Sequence, residues 1–270
     1  MLGESPVWCA GRETLYWVDV RGPTLFDLDG SQWQLPELVG GVAIADDGRL
    51  VLAMKSGLFL FDVDSAALTR HAECDPPELD NRMNEAKCDR LGRLWVGTMR
   101  DFGTATTGSL YRVSHGVAMP ILRGITIPNG QCFSPDDRTF YFADTAEGCI
   151  RMYDFTDGEL HDERTLIGAG ALPGRPDGAT VDAEGFLWSA RYGGGGIARL
   201  DPAGRVERFL KLPVTQVTSV MFGGADLCTL YVTTSRQRMS DEALAQEPLA
   251  GALLAIDAGV QGLPEPRYAI

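Results

Sequence analysis

Six short stretches of the chain, GESPVW, GGVAIA, NEAKCD, NGQCFS, DGATVD and SVMFGG, open on Glu4, Gly40, Asn84, Asn129, Asp177 and Ser219. Each opening residue stands ten or eleven positions ahead of an apolar strand core, at Leu15, Leu50, Leu94, Phe140, Leu187 and Leu230 respectively. Two of the six are carboxylates, two are amides, one is a hydroxyl, and the glycine leaves room. Two carboxylates brought together without compensation repel, and one of their pKa values rises. A divalent cation removes that problem: Glu4 and Asp177 would neutralise it, and Asn129 would add a neutral oxygen. Oxygen ligands favour hard ions such as Ca²⁺, Mg²⁺ or Mn²⁺ over a thiolate-type zinc site. Taken alone, Asp177 between Pro176 and Gly178 reads as a loop aspartate, because Pro-Asp-Gly and Asn-Gly are common turn sequences. The coincidence at one repeat phase argues for a shared role instead.

The elements that would position these residues are strands. LYWVDV (15–20), DDGRLVLAM (46–54), DRLGRLWVGTM (89–99), SPDDRTFYFADT (134–145), DAEGFLWSARY (182–192) and GGADLCTLYVTTS (223–235) share a turn-then-strand pattern, and their cores lie 35 to 47 residues apart. A second strand follows in most copies, as in GLFLFDVD (57–64), GSLYRVS (108–114), CIRMYDF (149–155), GIARLDP (196–202) and GALLAID (251–257). Helical periodicity is nearly absent, and only SDEALAQEP (240–248) reads as a short helix. Units of about 45 residues predict an all-β, six-bladed β-propeller spanning 1–270 as a single domain, with a central metal site. A β-sandwich is the competing fold, but it requires no fixed long period. In a closed ring the six opening residues surround the axis, where the innermost strands meet.

Composition narrows the partners. The 270 residues are 44% hydrophobic, enough for a large core, and the formal net charge is −13. That charge repels a phosphate backbone, so no nucleic-acid partner is expected. No apolar run approaches the eighteen or so residues of a membrane span, so no membrane partner is expected either. The opening MLGESPVW lacks the basic and apolar regions of a signal peptide. Six scattered cysteines form no CxxC pair and are read as reduced thiols, which fits a cytoplasmic protein, monomeric or weakly homo-oligomeric. His71, His115 and His161 occupy no motif, and there is no GxSxG elbow, so a Ser/His/Asp mechanism has no support. The glycine run 193–196 reads as a tight turn. The loop 100–108 reads equally as a lid or a long hairpin, and Tyr192 as pocket lining or core.

In order, GESPVW, NRMNEAKCDRLGRLWVGTM, IPNGQCFSPD, RPDGATVDAEGFLW and CTLYVTTSR resemble the gluconolactonase/regucalcin (senescence marker protein) family, from Leu2 to about Gly262. The resemblance implies a six-bladed propeller with a divalent metal on its axis, Ca²⁺ first and Zn, Mn, Mg or Fe as alternatives. It implies hydrolysis of sugar-acid lactones such as gluconolactone, xylonolactone or arabinolactone. It places the metal ligands on Glu4, Asn129 and Asp177, and substrate binding on Asn84 and Arg82. Arg82 enters by the resemblance alone. Asp177 is the implied general base, although a cation-bound carboxylate is a weaker base; the alternative is direct attack by a water that the cation acidifies. Arg82 and Asn84 are expected as donors to sugar hydroxyls and the developing oxyanion.

Two departures stand out. Relatives often carry Asn-Asp-Gly or Asn-Asp-Ala where this chain has Asn84-Glu85-Ala86, which would shift a loop carrying Arg82 and Asn84. Relatives also use an extra N-terminal strand to close the ring on the last blade; here it is missing or supplied by RYAI (267–270), and Glu4 sits near a mobile terminus. Other classes compatible with the residues are a non-catalytic calcium- or ligand-binding propeller of the regucalcin type, and a related propeller esterase or phosphotriesterase. The first would not need Arg82 and Asn84, and the second would want an aromatic pocket.

Overall fold

The computed structural model describes residues 1–270 and is a six-bladed β-propeller. Five sheets have four strands and the sixth has three, and within each sheet consecutive strands pair antiparallel. The innermost strands are Gly3–Cys9, Val39–Ile44, Asn81–Cys88, Pro128–Phe133, Arg175–Val181 and Val217–Gly223. The short helix Asp241–Gln246 is capped by the Ser240 hydroxyl, as an Asx/Ser N-cap should be. Gly193–Gly195 form the turn between the second and third strands of blade 5. No helix is long and apolar enough to cross a membrane, and all six cysteines are unpaired.

The repeated turn aspartates are structural. Asp182 accepts from the Glu184 and Phe186 amides through Oδ1 (both 3.0 Å), and from Trp188 Nε1 and Arg199 Nε (both 2.8 Å) through Oδ2. Asp89 does the same for Leu91, Arg93 and Trp95 in blade 3. Both carboxylates are fully buried, and their donors offset the desolvation that an unpaired charge would suffer. Each thereby clamps a turn to the strand that carries its blade's buried tryptophan.

The inner strands are joined across blade boundaries by polar contacts and close approaches. Val42 N donates to Ser5 Oγ (2.9 Å) and Thr218 Oγ1 donates to Gly3 O (2.6 Å). Gly40 has no side chain because a Cβ there would collide with the backbone of Met83 and Asn84 in blade 3. The room it leaves is filled by a neighbouring strand.

The chain ends decide between the two expectations about closure, in favour of the missing strand. RYAI does not pair with blade 6, which stays three-stranded (Val217–Gly223, Thr229–Thr234, Leu254–Asp257). The C-terminal segment instead straps the propeller at the far end of the inner strands. Gly262 N donates to Leu227 O (2.8 Å), Ala183 N to Gln261 O (2.9 Å) and Ala269 N to Gly92 O (2.8 Å), while Lys87 Nζ pairs with Glu265 Oε1 (3.3 Å). Tyr268 forms a parallel bridge with Ala45, is fully buried, and its hydroxyl lies 2.8 Å from His71 Nε2 and 2.9 Å from Gly116 N. At the other terminus Glu4 lies inside a paired strand: Leu2 N donates to Asp19 Oδ1 (2.9 Å) and Arg236 N to Met1 O (3.2 Å). Tyr268→Ala is expected to cost roughly 3–5 kcal/mol in urea unfolding, as for a large buried aromatic. A loss below about 1 kcal/mol would show that the strap adds little to the fold.

Candidate functional site

All five residues singled out from the sequence, Glu4, Arg82, Asn84, Asn129 and Asp177, line one cavity of about 150 Å³ at the starting end of the inner strands. Gly40 and Ser219 do not line it; Ser219 faces a tighter cavity that also includes Glu85.

A bulge delivers these side chains. In every inner strand the antiparallel register breaks at or beside the repeated position: after Glu4, at Gly40, at Asn84, after Asn129, at Asp177 and before Ser219. A bulge inserts an unpaired residue and re-aims its side chain out of the pleat. Asp177 therefore belongs to the strand Arg175–Val181 and not to a loop, and Arg82 and Asn84 both lie in the strand Asn81–Cys88. Gly178 is required next to Asp177, since a Cβ there would collide with Ser219 of blade 6.

Arg82, Asn84, Asn129 and Asp177 are only 4–6% exposed. They are ordered by one directional chain of hydrogen bonds. Arg82 donates through Nε to Asp101 Oδ1 (2.6 Å) and through Nη1 to Asn84 Oδ1 (2.8 Å). Asn84 Nδ2 donates to Pro128 O (2.8 Å) and Asn129 Oδ1 (2.7 Å). Asn129 Nδ2 donates to Thr145 Oγ1 (2.8 Å), whose hydroxyl donates to Pro176 O (2.7 Å). Arginine can only donate and a proline carbonyl can only accept, so the ends of the chain determine both amide orientations. Asn129 consequently holds its carbonyl oxygen, not its amide nitrogen, on the side of Asn84. Both Asn84 N–H groups are consumed within the protein. Toward a ligand Asn84 offers only its oxygen, which corrects its expected role as a donor; Arg82 keeps Nη2 without an intramolecular partner.

The carboxylates are crowded. Burial first, then repulsion from Asp177 and Glu85, pushes the Glu4 carboxyl well above its ordinary range. Burial and then Glu85 do the same to Asp177. Glu85 is buried beneath them and is pushed up to about 7, mainly by desolvation; its Oε2 accepts from Gln131 N (3.1 Å). Asp177 Oδ1 is buried with no hydrogen-bond partner. An orphaned buried carboxylate oxygen beside a second carboxylate and an oriented amide oxygen is the donor set a hard cation requires. Nowhere do three His, Cys, Asp or Glu side chains come together as a metal-binding group, so a cation here depends on the Asn129 amide.

Several lining residues escaped the sequence reading. Asp101, in the loop between Arg100 and Gly108, accepts from both Arg82 and Arg21, the latter through Nη1 to Oδ2 (2.7 Å). Burial pushes its carboxyl up, but the two arginine hydrogen bonds outweigh this and hold it below its ordinary value. The loop is thus docked on the pocket rim, with the Phe102 ring 4.6 Å from the Arg21 guanidinium. Thr145 and Arg238 also line the cavity, as does Tyr192, for which pocket lining is one of the two readings from sequence; its hydroxyl donates to Gln216 Oε1 (3.0 Å). A signal existed for two of them. VDVRG and ADTAEG end the second strands of blades 1 and 4 on a shared aspartate, Asp19 and Asp144, which Arg21 follows by two residues and Thr145 by one.

A six-bladed propeller with a buried carboxylate–amide site on its axis defines the class, and comparison with known proteins agrees. Residues 2–236 match the family described as SMP-30/Gluconolactonase/LRE-like region, and the chain belongs to that family. It is similar to a 6-deoxy-6-sulfogluconolactonase of Pseudomonas putida, 36% identical over 100% of this chain and 95% of the relative. It is also similar to an L-arabinolactonase of Azospirillum brasilense, 34% identical over 99% of this chain and 92% of the relative. A crystal structure of a calcium-binding protein, regucalcin, from Agrobacterium tumefaciens superposes with a TM-score of 0.95 at 32% identity, covering 100% of this chain and 94% of that one.

Proposed function

We propose that the protein hydrolyses sugar-acid lactones to the free sugar acids, using one divalent cation held by Glu4, Asn129 and Asp177. The observation that carries this is the orphaned Asp177 oxygen, set beside Glu4 and an Asn129 carbonyl whose orientation the hydrogen-bond chain determines. The names of the sulfogluconolactone- and arabinolactone-opening relatives support a lactonase, and the calcium-binding structural relative supports a cation. Ca²⁺ is the first candidate, with Zn, Mn, Mg or Fe behind it.

A cation bound there would supply Lewis-acid polarisation of the lactone carbonyl and acidify water. The remaining work falls to side chains. Asp177 accepts the proton of the attacking water at a carboxylate oxygen. Arg82 Nη2 donates to the oxygen on which negative charge develops, and Asp101 and Asn84 hold that guanidinium still. Asn84 Oδ1 accepts from a sugar hydroxyl. Tyr192 is the one aromatic residue lining the cavity, so an aromatic-ester or phosphotriester substrate is not favoured.

The test is acid release in weak buffer from a panel of five- and six-membered aldonolactones, with protein stripped of metal and then given Ca²⁺, Mn²⁺ or Zn²⁺. Metal-restored turnover is expected. Cation binding without turnover of any lactone would replace the enzyme by a binding propeller of the regucalcin type.

A further inference from the structure

The rim of the cavity carries more positive charge than its contacts use. Arg21, Arg82 and Arg238 all line it, and outside the Glu4–Asp177 pair the one carboxylate among the lining residues is Asp101. Asp101 is already shared by Arg21 and Arg82. Arg21 Nε is buried with no partner. Arg238 is exposed and makes no hydrogen bond or ion pair, and its charge acts on the Tyr192 phenol, which lines the same cavity. Arg21 follows the second strand of blade 1 and Arg238 follows that of blade 6, and these blades meet where Arg236 N bonds Met1 O. Two under-used guanidiniums therefore flank one side of the pocket mouth. The surrounding chain has a net charge of −13, so this patch runs against the overall field. Neutral sugar hydroxyls do not call for such a surplus, because neutral partners bind them without leaving a guanidinium such as that of Arg21 partly desolvated at Nε, while Arg238, exposed at the mouth, is free to meet a ligand. An oxyanion does call for it, and a guanidinium fork matches its geometry.

Resting on the lactonase reading, we infer that the substrate is an aldonolactone whose exocyclic terminal carbon bears an oxyanion, a sulfonate or a phosphate, received by Arg238 and Arg21. Arg238 is then a specificity-determining residue. It leaves the carbonyl chemistry to the axial group and selects the far end of the molecule.

Steady-state kinetics would be measured on glucono-1,5-lactone and on its 6-sulfo and 6-phospho counterparts, with wild type, Arg238→Ala and Arg238→Lys. The wild type is expected to show at least about tenfold higher kcat/KM for a charged lactone, an advantage that shrinks with added salt. Arg238→Ala should raise KM for the charged lactone about tenfold and bring the charged-to-neutral ratio toward one, with partial recovery in Arg238→Lys. The ratio between the sulfo and phospho compounds separates the two anions. Turnover of all three lactones without preference for charge, or an equal effect of Arg238→Ala on charged and neutral lactones, would overturn the inference and leave the lactonase reading standing. Calorimetric titration of the wild type and Arg238→Ala with the open 6-sulfo, 6-phospho and unsubstituted sugar acids keeps the two claims separate. With no lactone turned over, tighter binding of a charged acid that Arg238→Ala abolishes would still support the anion site, and equal or absent binding would refute it.

Discussion

Asp177→Ala is expected to lower kcat/KM for any lactone by about 10³-fold or more, since it removes a proposed cation ligand and the proton acceptor together. Glu4→Gln should lose metal and activity as well, while both variants stay folded. The stability effect should run the other way. In chelated protein the Asp177 carboxylate is buried, faces Glu4 and Glu85, and leaves Oδ1 without a partner. Asp177→Asn keeps the shape and removes the charge, so at pH 8 the chelated variant should be more stable than chelated wild type by roughly 1–3 kcal/mol. Such a gain of stability with loss of function marks a residue held against its own preference for water. Urea unfolding, cation calorimetry and the acid-release assay read the three effects. Full chelator-sensitive activity in either Asp177→Ala or Glu4→Gln would show that the axial assignment is wrong.

The second large effect is on the pH dependence of stability in chelated protein. Glu85 titrates near 7 when folded, against an ordinary 4.5, because burial disfavours its charge. Between those values the unfolded chain has released this proton and the folded protein still holds it. The unfolded state then binds fewer protons, so stability falls as pH rises through the window and levels off above it. Glu4 and Asp177, also raised, act with the same sign. For Glu85 alone the loss between pH 5 and 8 is about 3 kcal/mol, and Glu85→Gln should remove it. Adding a divalent cation at pH 8 should restore stability, by about 2.7 kcal/mol at a hundredfold excess over Kd. Chelated protein that instead gains stability between pH 5 and 8 would mean that nearby arginines already neutralise the carboxylates.

The sequence alone determined the architecture and the ring of candidate ligands, because both follow from a local repeat. Strand cores spaced by about 45 residues force similar blades, and a common phase places Glu4, Asn84, Asn129 and Asp177 at the same depth whatever their neighbours. The same phase comparison could not show that the ring position is a bulge. A bulge is defined by the partner strand, and Pro-Asp-Gly looks like a turn until Pro176 is seen opposite Arg191 and Ala179 opposite Ser189. Glu85 read as a departure within a loop, whereas the packing of blades 3 and 4 turns it inward against the Gln131 amide. The strap was not legible for a similar reason: Tyr268 is a lone aromatic near the terminus in sequence, and its partners Ala45, His71 and Gly116 are more than 150 residues away. The polarity of the site was likewise decided only in three dimensions. Asp101, Arg82, Asn84, Asn129 and Thr145 come from separate stretches of blades 3 and 4, and which amide atom faces the cavity depends on a chain of donors that exists only once those blades have closed around the axis.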